Sequence, residues 1–257
     1  MSKIDSDTVK NTLYLDIGNS TIKGAYKMGT QWAVLTDERL FSALELVKWI
    51  QQHPDSFDRV VLASVREDVS EAIKKELSQQ EILEVNVSDI PRDLLNYDTP
   101  KTLGIDRFLS CYGATNQTNK SVVVVDAGTA TTIDFMDQDD VYHGGVITPG
   151  LWGFSEVLKN KAPALPFVEF EFPKQWPGKN TVDSLKWGQA GFYKMGILGF
   201  LDMYEREFGD YELYITGGDA HVIEKMIGRE SKVRPFLVFE GLERLVKQVS
   251  KKKGSKL

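Results

Sequence analysis

One cysteine and three histidines are all that the 257 residues offer to thiol or imidazole chemistry. Cys111 has no partner with which to close a disulfide within the chain. His53, His143 and His221 stand far apart, with no H-x-x-x-H spacing and no cysteine companion, which argues against a structural zinc site or a histidine-based triad. Long apolar runs are missing too: no segment approaches the ~20 uninterrupted apolar residues of a membrane-crossing helix. The opening "MSKIDSDTVKN" lacks the apolar centre of a signal peptide. With no disulfide to form, these features point to a reducing cytoplasm and to no membrane partner. Positive charge is scarce, with 31 basic against 37 acidic residues and a formal charge of -6. Its one concentration is the terminal "KQVSKKKGSK", too short to track a nucleic acid backbone, so small molecules are the expected ligands. Neither G-x-x-x-x-G-K-[ST] nor G-x-G-x-x-G occurs, so neither of those glycine loops accounts for nucleotide binding.

What is present is enough apolar material, 42% of residues, to build one large domain or two small ones. Periodicity predicts strands at 12–18, 22–27 and 31–37, a helix at 42–53, the strand "RVVLASV", a helix at 69–79, the strand "ILEVNV" and a helix beginning near Asp106. The second half repeats the order: strands near 121–127, 131–136 and 141–147, a helix after Gly150, a long apolar helix over 183–208, the strand "YELYITGG", a helix at 219–227, a strand "VRPFLVFEG" and a terminal helix. The expected domains are therefore two copies of one mixed α/β unit, 1–118 and 119–257. "FPKQWPGKN", with two prolines and a glycine, reads as an exposed excursion within the second copy.

The repeat is sharpest at the turns. Asp16-x-Gly18-x-Ser20-Thr21 and Asp126-x-Gly128-x-Ala130-Thr131 share D-x-G-x-[small]-T between the first and second strands of each half. A glycine two residues past an aspartate permits a tight hairpin whose backbone N–H groups and hydroxyls converge on one spot, a geometry suited to phosphate oxygens. The aspartate can hold a hydrated Mg²⁺ that bridges those phosphates. Lys23 can add a positive charge there or be a solvated edge residue. In "LYITGGD" an apolar strand ends at Thr216-Gly217-Gly218; paired glycines let the backbone approach a flat ring such as adenine, or make a plain strand-to-helix turn.

D-x-G turns in both halves plus the T-G-G strand end resemble the superfamily of actin-like ATPases and sugar kinases, whose two ribonuclease-H-like domains clamp ATP. More closely, "DIGNSTIK", "YDTPKTLGIDR", "DAGTATTID", "GGVITPG" and "NTVDSLKWG" resemble, in order and rough spacing, the type III pantothenate kinases. The most specific piece is G-x-D-R at Gly104–Arg107 ahead of "VDAGTATT". Ser20 stands where a threonine is expected, which keeps the hydroxyl, and about ten extra residues precede the first strand.

The resemblance implies an ATP-dependent kinase for pantothenate, acting at the first committed step toward coenzyme A, with Mg²⁺ and a monovalent cation, K⁺ or NH4⁺. It implies that Asp16, Ile17, Gly18, Asn19, Ser20, Thr21, Ile22 and Lys23 cradle ATP phosphates with Thr129, and that Asp126 helps hold the monovalent cation. Asp106 becomes the base for the substrate hydroxyl. A carboxylate of ordinary pKa, about 4, suffices because phosphoryl transfer depends on positioning more than basicity. The alternative is a helix cap. Arg107 can grip a substrate carboxylate with two hydrogen bonds or make an intrahelical ion pair. Gly104 and Ile105 share that substrate segment. Tyr97 lines the pantothenate pocket or packs as a loop aromatic; Thr181 contacts substrate across a subunit boundary or caps a helix. Gly144, Gly145, Pro149 and Gly150 shape the backbone.

The long helix "SLKWGQAGFYKMGILGFLDMYEREF" is apolar around most of its middle turns and carries four glycines, so it must be covered, within the monomer or in a homodimer. Two other functions fit the scaffold: a non-catalytic accessory protein, which would not need the carboxylates, and a kinase for another small acid or a sugar.

Overall fold

The computed structural model describes residues 11–36, 40–52, 57–78 and 80–254. The opening segment, His53 and the last residues of the basic C-terminal run lie outside the described residues.

The first sheet is built from β1 (Thr12–Ile17), β2 (Ile22–Met28), β3 (Gln31–Val34), β4 (Arg59–Ser64) and β5 (Glu81–Val85), in the order β3-β2-β1-β4-β5. β1 runs antiparallel to β2 and parallel to β4. Central β1 and β4 are buried on both faces, which is why they read as nearly continuous apolar runs and not as an alternation. Helices α1 (Ala43–Gln52) and α2 (Glu67–Glu76) cover one face, packing Leu46, Ile50 and Ile73 on Leu13, Leu15, Val60 and Leu62. The helix α3 (Ile105–Thr115) follows three short single-turn segments.

The second sheet contains β6 (Val122–Ala127), β7 (Ala130–Met136), β8 (Tyr142–Pro149), β9 (Glu212–Thr216) and the two-residue β10 (Lys232–Val233), in the order β8-β7-β6-β9-β10. Counted within its own half, each sheet runs third-second-first-fourth-fifth, with the same antiparallel and parallel neighbours. The repeat is the duplication expected from the turns, and the arrangement is the ribonuclease-H-like one that the resemblance implies. The remaining helices are α4 (Gly153–Lys161), α5 (Thr181–Lys186), α6 (Phe192–Phe208), α7 (Ala220–Ile227) and α8 (Leu237–Gly254). Ile197 and Leu201 of α6 and Ile223 of α7 pack on Val123, Val125 and Ile133.

Two compact units result. One comprises residues 1–90, 101–109 and 238–257, the other 91–100 and 110–237. Helix α8 thus belongs with the first sheet. Phe239 lies 6.1 Å from Trp32 between ring centres, Glu243 takes a 2.6 Å hydrogen bond from Lys27, and Gly241 packs against the backbone of Leu109.

One expected strand is corrected. "VRPFLVFEG" is not a strand beyond Val233. Pro235 has no N–H to donate to a ladder, and from Leu237 the apolar residues Val238, Leu242, Leu245 and Val246 follow a helical period. The helix expected over 183–208 runs from Thr181 to Phe208, with α5 and α6 joined without a break by a wider π-helical turn at Trp187–Gly191. There the Trp187 ring lies where a Cβ on Gly191 would sit, 2.6 Å away, while its indole N–H donates to the Gln175 carbonyl at 2.8 Å. The segment 172–180 is irregular, as its prolines suggest.

Candidate active site

In the first hairpin Asp16 pairs with Lys23 and Ile17 with Ile22. The Gly18 N–H donates to the Thr21 carbonyl at 3.1 Å, closing the turn. Ile17 and Ile22 point into the core and can offer a ligand only their backbone. Asn19 and Ser20 are exposed at the tip. Gly18 does not adopt a left-handed conformation, and a Cβ there would touch only the Thr21 carbonyl at an ordinary 3.5 Å. The turn itself does not require glycine; a bare backbone here leaves its N–H groups open to close approach. Asp16 is buried except for 8%, with the Lys23 ammonium 4.0 Å from its carboxylate.

The second hairpin is held from two sides. Its Gly128 N–H donates to the Ala130 carbonyl at 3.1 Å, and the Gly150 N–H to the Thr129 carbonyl at 2.9 Å. A Cβ on Gly150 would lie 2.1 Å from the Gly128 carbonyl oxygen, so only glycine lets the end of β8 press on this turn. Thr131 and Tyr193 share a hydroxyl–hydroxyl bond beneath it, and burial pushes the Tyr193 phenol pKa up. Gly217 (φ +91°) brings the T-G-G turn against Asp126: a Cβ would sit 2.6 Å from the Asp126 Oδ1 and 2.4 Å from the Ala127 carbonyl. Gly218, by contrast, faces open space. Directly opposite Asp126 on β7 is Thr132, whose buried hydroxyl has no hydrogen-bond partner among the described residues. A carboxylate beside an unsatisfied hydroxyl is a hard oxygen donor set, and the fit to a monovalent cation rests on that.

At the start of α3 the Asp106 Oδ1 accepts the Arg107 N–H at 3.0 Å. A Cβ on Gly104 would come within 2.6 Å of the same oxygen, so the glycine makes room for the carboxylate. Ile105 is buried and anchors the turn; Arg107 is 7% exposed. Asp106 is the second residue of the helix and not its preceding cap.

Tyr97, in the loop before α3, packs against β8 with its ring over Gly144 (φ +85°) and 5.9 Å from the Tyr142 ring. Thr181 is exposed as the first residue of α5, and the capping role expected of it belongs to Asn180, whose side chain accepts the Asp183 N–H at 2.8 Å. Thr181 sits on a cavity of about 860 Å³ with apolar walls, among them Phe154, Val157, Leu158 and Leu185. Tyr97 does not line it. Among the described residues no group of three or more His, Cys, Asp or Glu could hold a metal ion alone. A divalent ion here would rest on one or two carboxylates, water and substrate phosphates, the ordinary habit of Mg²⁺. The sequence alone did not reveal Thr132, because an isolated threonine carries no signal until its cross-strand partner is known.

Two copies of one α/β unit, each with a D-x-G hairpin between its first two strands, make the fold that of the actin-like ATPase and sugar kinase class. Residues 12–203 match the family model described as type III pantothenate kinase, and the chain belongs to that family. A type III pantothenate kinase of Flavobacterium johnsoniae is 34% identical over 219 residues, covering 84% of this chain and 88% of its own length. One from a Sulfurihydrogenibium species is 28% identical over 246 residues, 90% of this chain and 97% of its own. Among solved structures, a conserved putative Baf family transcriptional activator from Campylobacter jejuni superposes with a TM-score of 0.63 at 22% identity, over 93% of this chain and 99% of the other, and so shares the fold.

Proposed function

We propose that this chain transfers the γ-phosphoryl group of ATP to the primary hydroxyl of pantothenate, yielding 4'-phosphopantothenate and ADP at the first step of coenzyme A biosynthesis. The observation that carries the reading is the Asp106 carboxylate, held by the Arg107 N–H close beside Gly104, where a Cβ would come within 2.6 Å of it. Asp106 takes the hydroxyl proton as the oxygen forms its bond to the γ-phosphorus and the bond to the ADP oxygen breaks. Its main contribution is alignment, since the transition state is loose. Arg107 binds the substrate carboxylate, with Gly104, Ile105, Tyr97 and Thr181 completing the pantothenate site. Asp16 through Lys23 and Thr129 bind the phosphates of ATP.

A Mg²⁺ ion held by Asp16 and the phosphates would neutralise charge on the transferring group. Asp126, supported by Thr132, would hold K⁺ or NH4⁺. The halves 1–118 and 119–257 are copies of one ancestral unit. A homodimer covers the face of α6, where Phe192, Met195 and Met203 are exposed and, outside the helix's own backbone, none of the described residues comes within 4 Å of where a Cβ on Gly196 or Gly199 would be. In the dimer Thr181 serves the partner's substrate.

The test is purified protein with ATP, Mg²⁺ and K⁺, offered pantothenate, a panel of sugars, or no acceptor. Phosphate should pass to pantothenate alone, and Asp106→Asn should abolish it. Transfer to a sugar but not pantothenate, or near-full turnover in Asp106→Asn, would defeat the substrate and base assignments respectively.

A further inference from the structure

His143 belongs to no part of the reaction described above, yet it is held as firmly as any side chain near it. Its Nε2 is 2.7 Å from the Asp137 Oδ2 and its Nδ1 is 3.1 Å from the Asn96 Nδ2. A carboxylate only accepts, so Nε2 carries the proton and Nδ1 is left to accept from the Asn96 amide. Asp137 is itself fixed, since its other oxygen accepts the N–H groups of Asp139 and Val141 at 2.9 Å each. The imidazole packs against Phe135 and Phe208, each with ring centres 5.6 Å away. Asn96 directly precedes Tyr97. The Asn96 N–H also donates to the Tyr142 carbonyl at 3.0 Å, and Leu95 bridges to Tyr142. An exposed loop is therefore tied to β8 by backbone on one side and by the chain Asp137–His143–Asn96 on the other.

We propose that His143 is a positioning residue for pantothenate: acting through Asn96, it sets the Tyr97 loop in its substrate-ready conformation before binding. The proposal rests on the reading of Tyr97 as a substrate residue. A loop ordered in advance costs the substrate no ordering entropy on arrival. Loss of the tether therefore weakens pantothenate binding in ground state and transition state alike, which raises KM and leaves kcat in place.

His143→Phe keeps the ring between Phe135 and Phe208 and removes the acceptor for Asn96. Its KM for pantothenate should rise about fivefold, the worth of one hydrogen bond, with kcat, the KM for ATP and the melting temperature unchanged. His143→Asn puts an amide oxygen near the position of Nδ1 and should bring KM back toward wild type. A wild-type KM in His143→Phe overturns the proposal, as does an equal loss of kcat and ATP affinity, or a KM in His143→Asn no better than in the phenylalanine variant. Tyr97→Ala, measured in parallel, separates the two readings. If it leaves the pantothenate KM unchanged, the Tyr97 assignment falls and this proposal with it; if it raises KM while His143→Phe does not, only this proposal falls.

Discussion

Gly104 shows what a single hydrogen atom in place of a side chain accomplishes. It lies outside the left-handed region, so alanine would suit its backbone, but the added methyl would meet the Asp106 Oδ1 at 2.6 Å and displace it. Gly104→Ala should therefore fold normally while kcat falls about 100-fold, the usual result of misplacing a reacting group by an ångström. Steady-state kinetics beside a thermal melt would check both halves of that statement. Tyr14 offers a different single-residue test. Burial, with Glu243 adding to it and Arg59 opposing, pushes its phenol up to about 12. An unfolded tyrosine ionises near 10, so the stability this group lends is complete below about pH 10 and drains away as the pH climbs through about 12. Urea midpoints between those values should fall more steeply for the wild type than for Tyr14→Phe.

At the scale of elements, the joint between α8 and α3 bears on the site directly. A Cβ on Gly241 would come 2.0 Å from the Leu109 carbonyl oxygen, one turn along the helix that begins at Ile105 and carries Asp106 in its first turn. Gly241→Val should cost about 1–3 kcal/mol by overpacking and lower turnover by shifting α3; urea unfolding and kinetics together would register both. The second hairpin has a matching dependence on Gly150. Alanine there would push the 128–129 turn away from β8, and the KM for ATP should rise while that for pantothenate holds. Strands β1, β4, β6 and β9 were legible as apolar runs, and both hairpins as D-x-G repeats. The segment after Val233 was not, because "RPFLVFEG" suits a strand by composition; the proline and the helical spacing of later apolar residues decide it only when read over a longer window.

For the whole molecule, the exposed apolar face of α6 leads to an assembly test. Phe192→Glu should yield a monomer by sedimentation and lose pantothenate turnover, since the dimer is taken to supply Thr181. Replacing K⁺ by Na⁺ should slow the wild type, and Asp126→Asn should be slow in either salt; similar rates of both proteins in both salts would remove the cation assignment. Among the described residues no helix is long and apolar enough to cross a membrane.

Read alone, the residues determined the duplication, the sheet-forming runs and the identity of the chemical groups, because hydrophobic period and turn chemistry are local properties written within a dozen positions. What surrounds those groups was decided by tertiary structure. That Gly217 abuts Asp126, that His143 grips Asn96 and that the last helix returns to the first sheet are contacts between residues distant in the chain. Such pairings leave no periodic trace, since they arise only when strand register and helix packing bring the partners within a few ångströms.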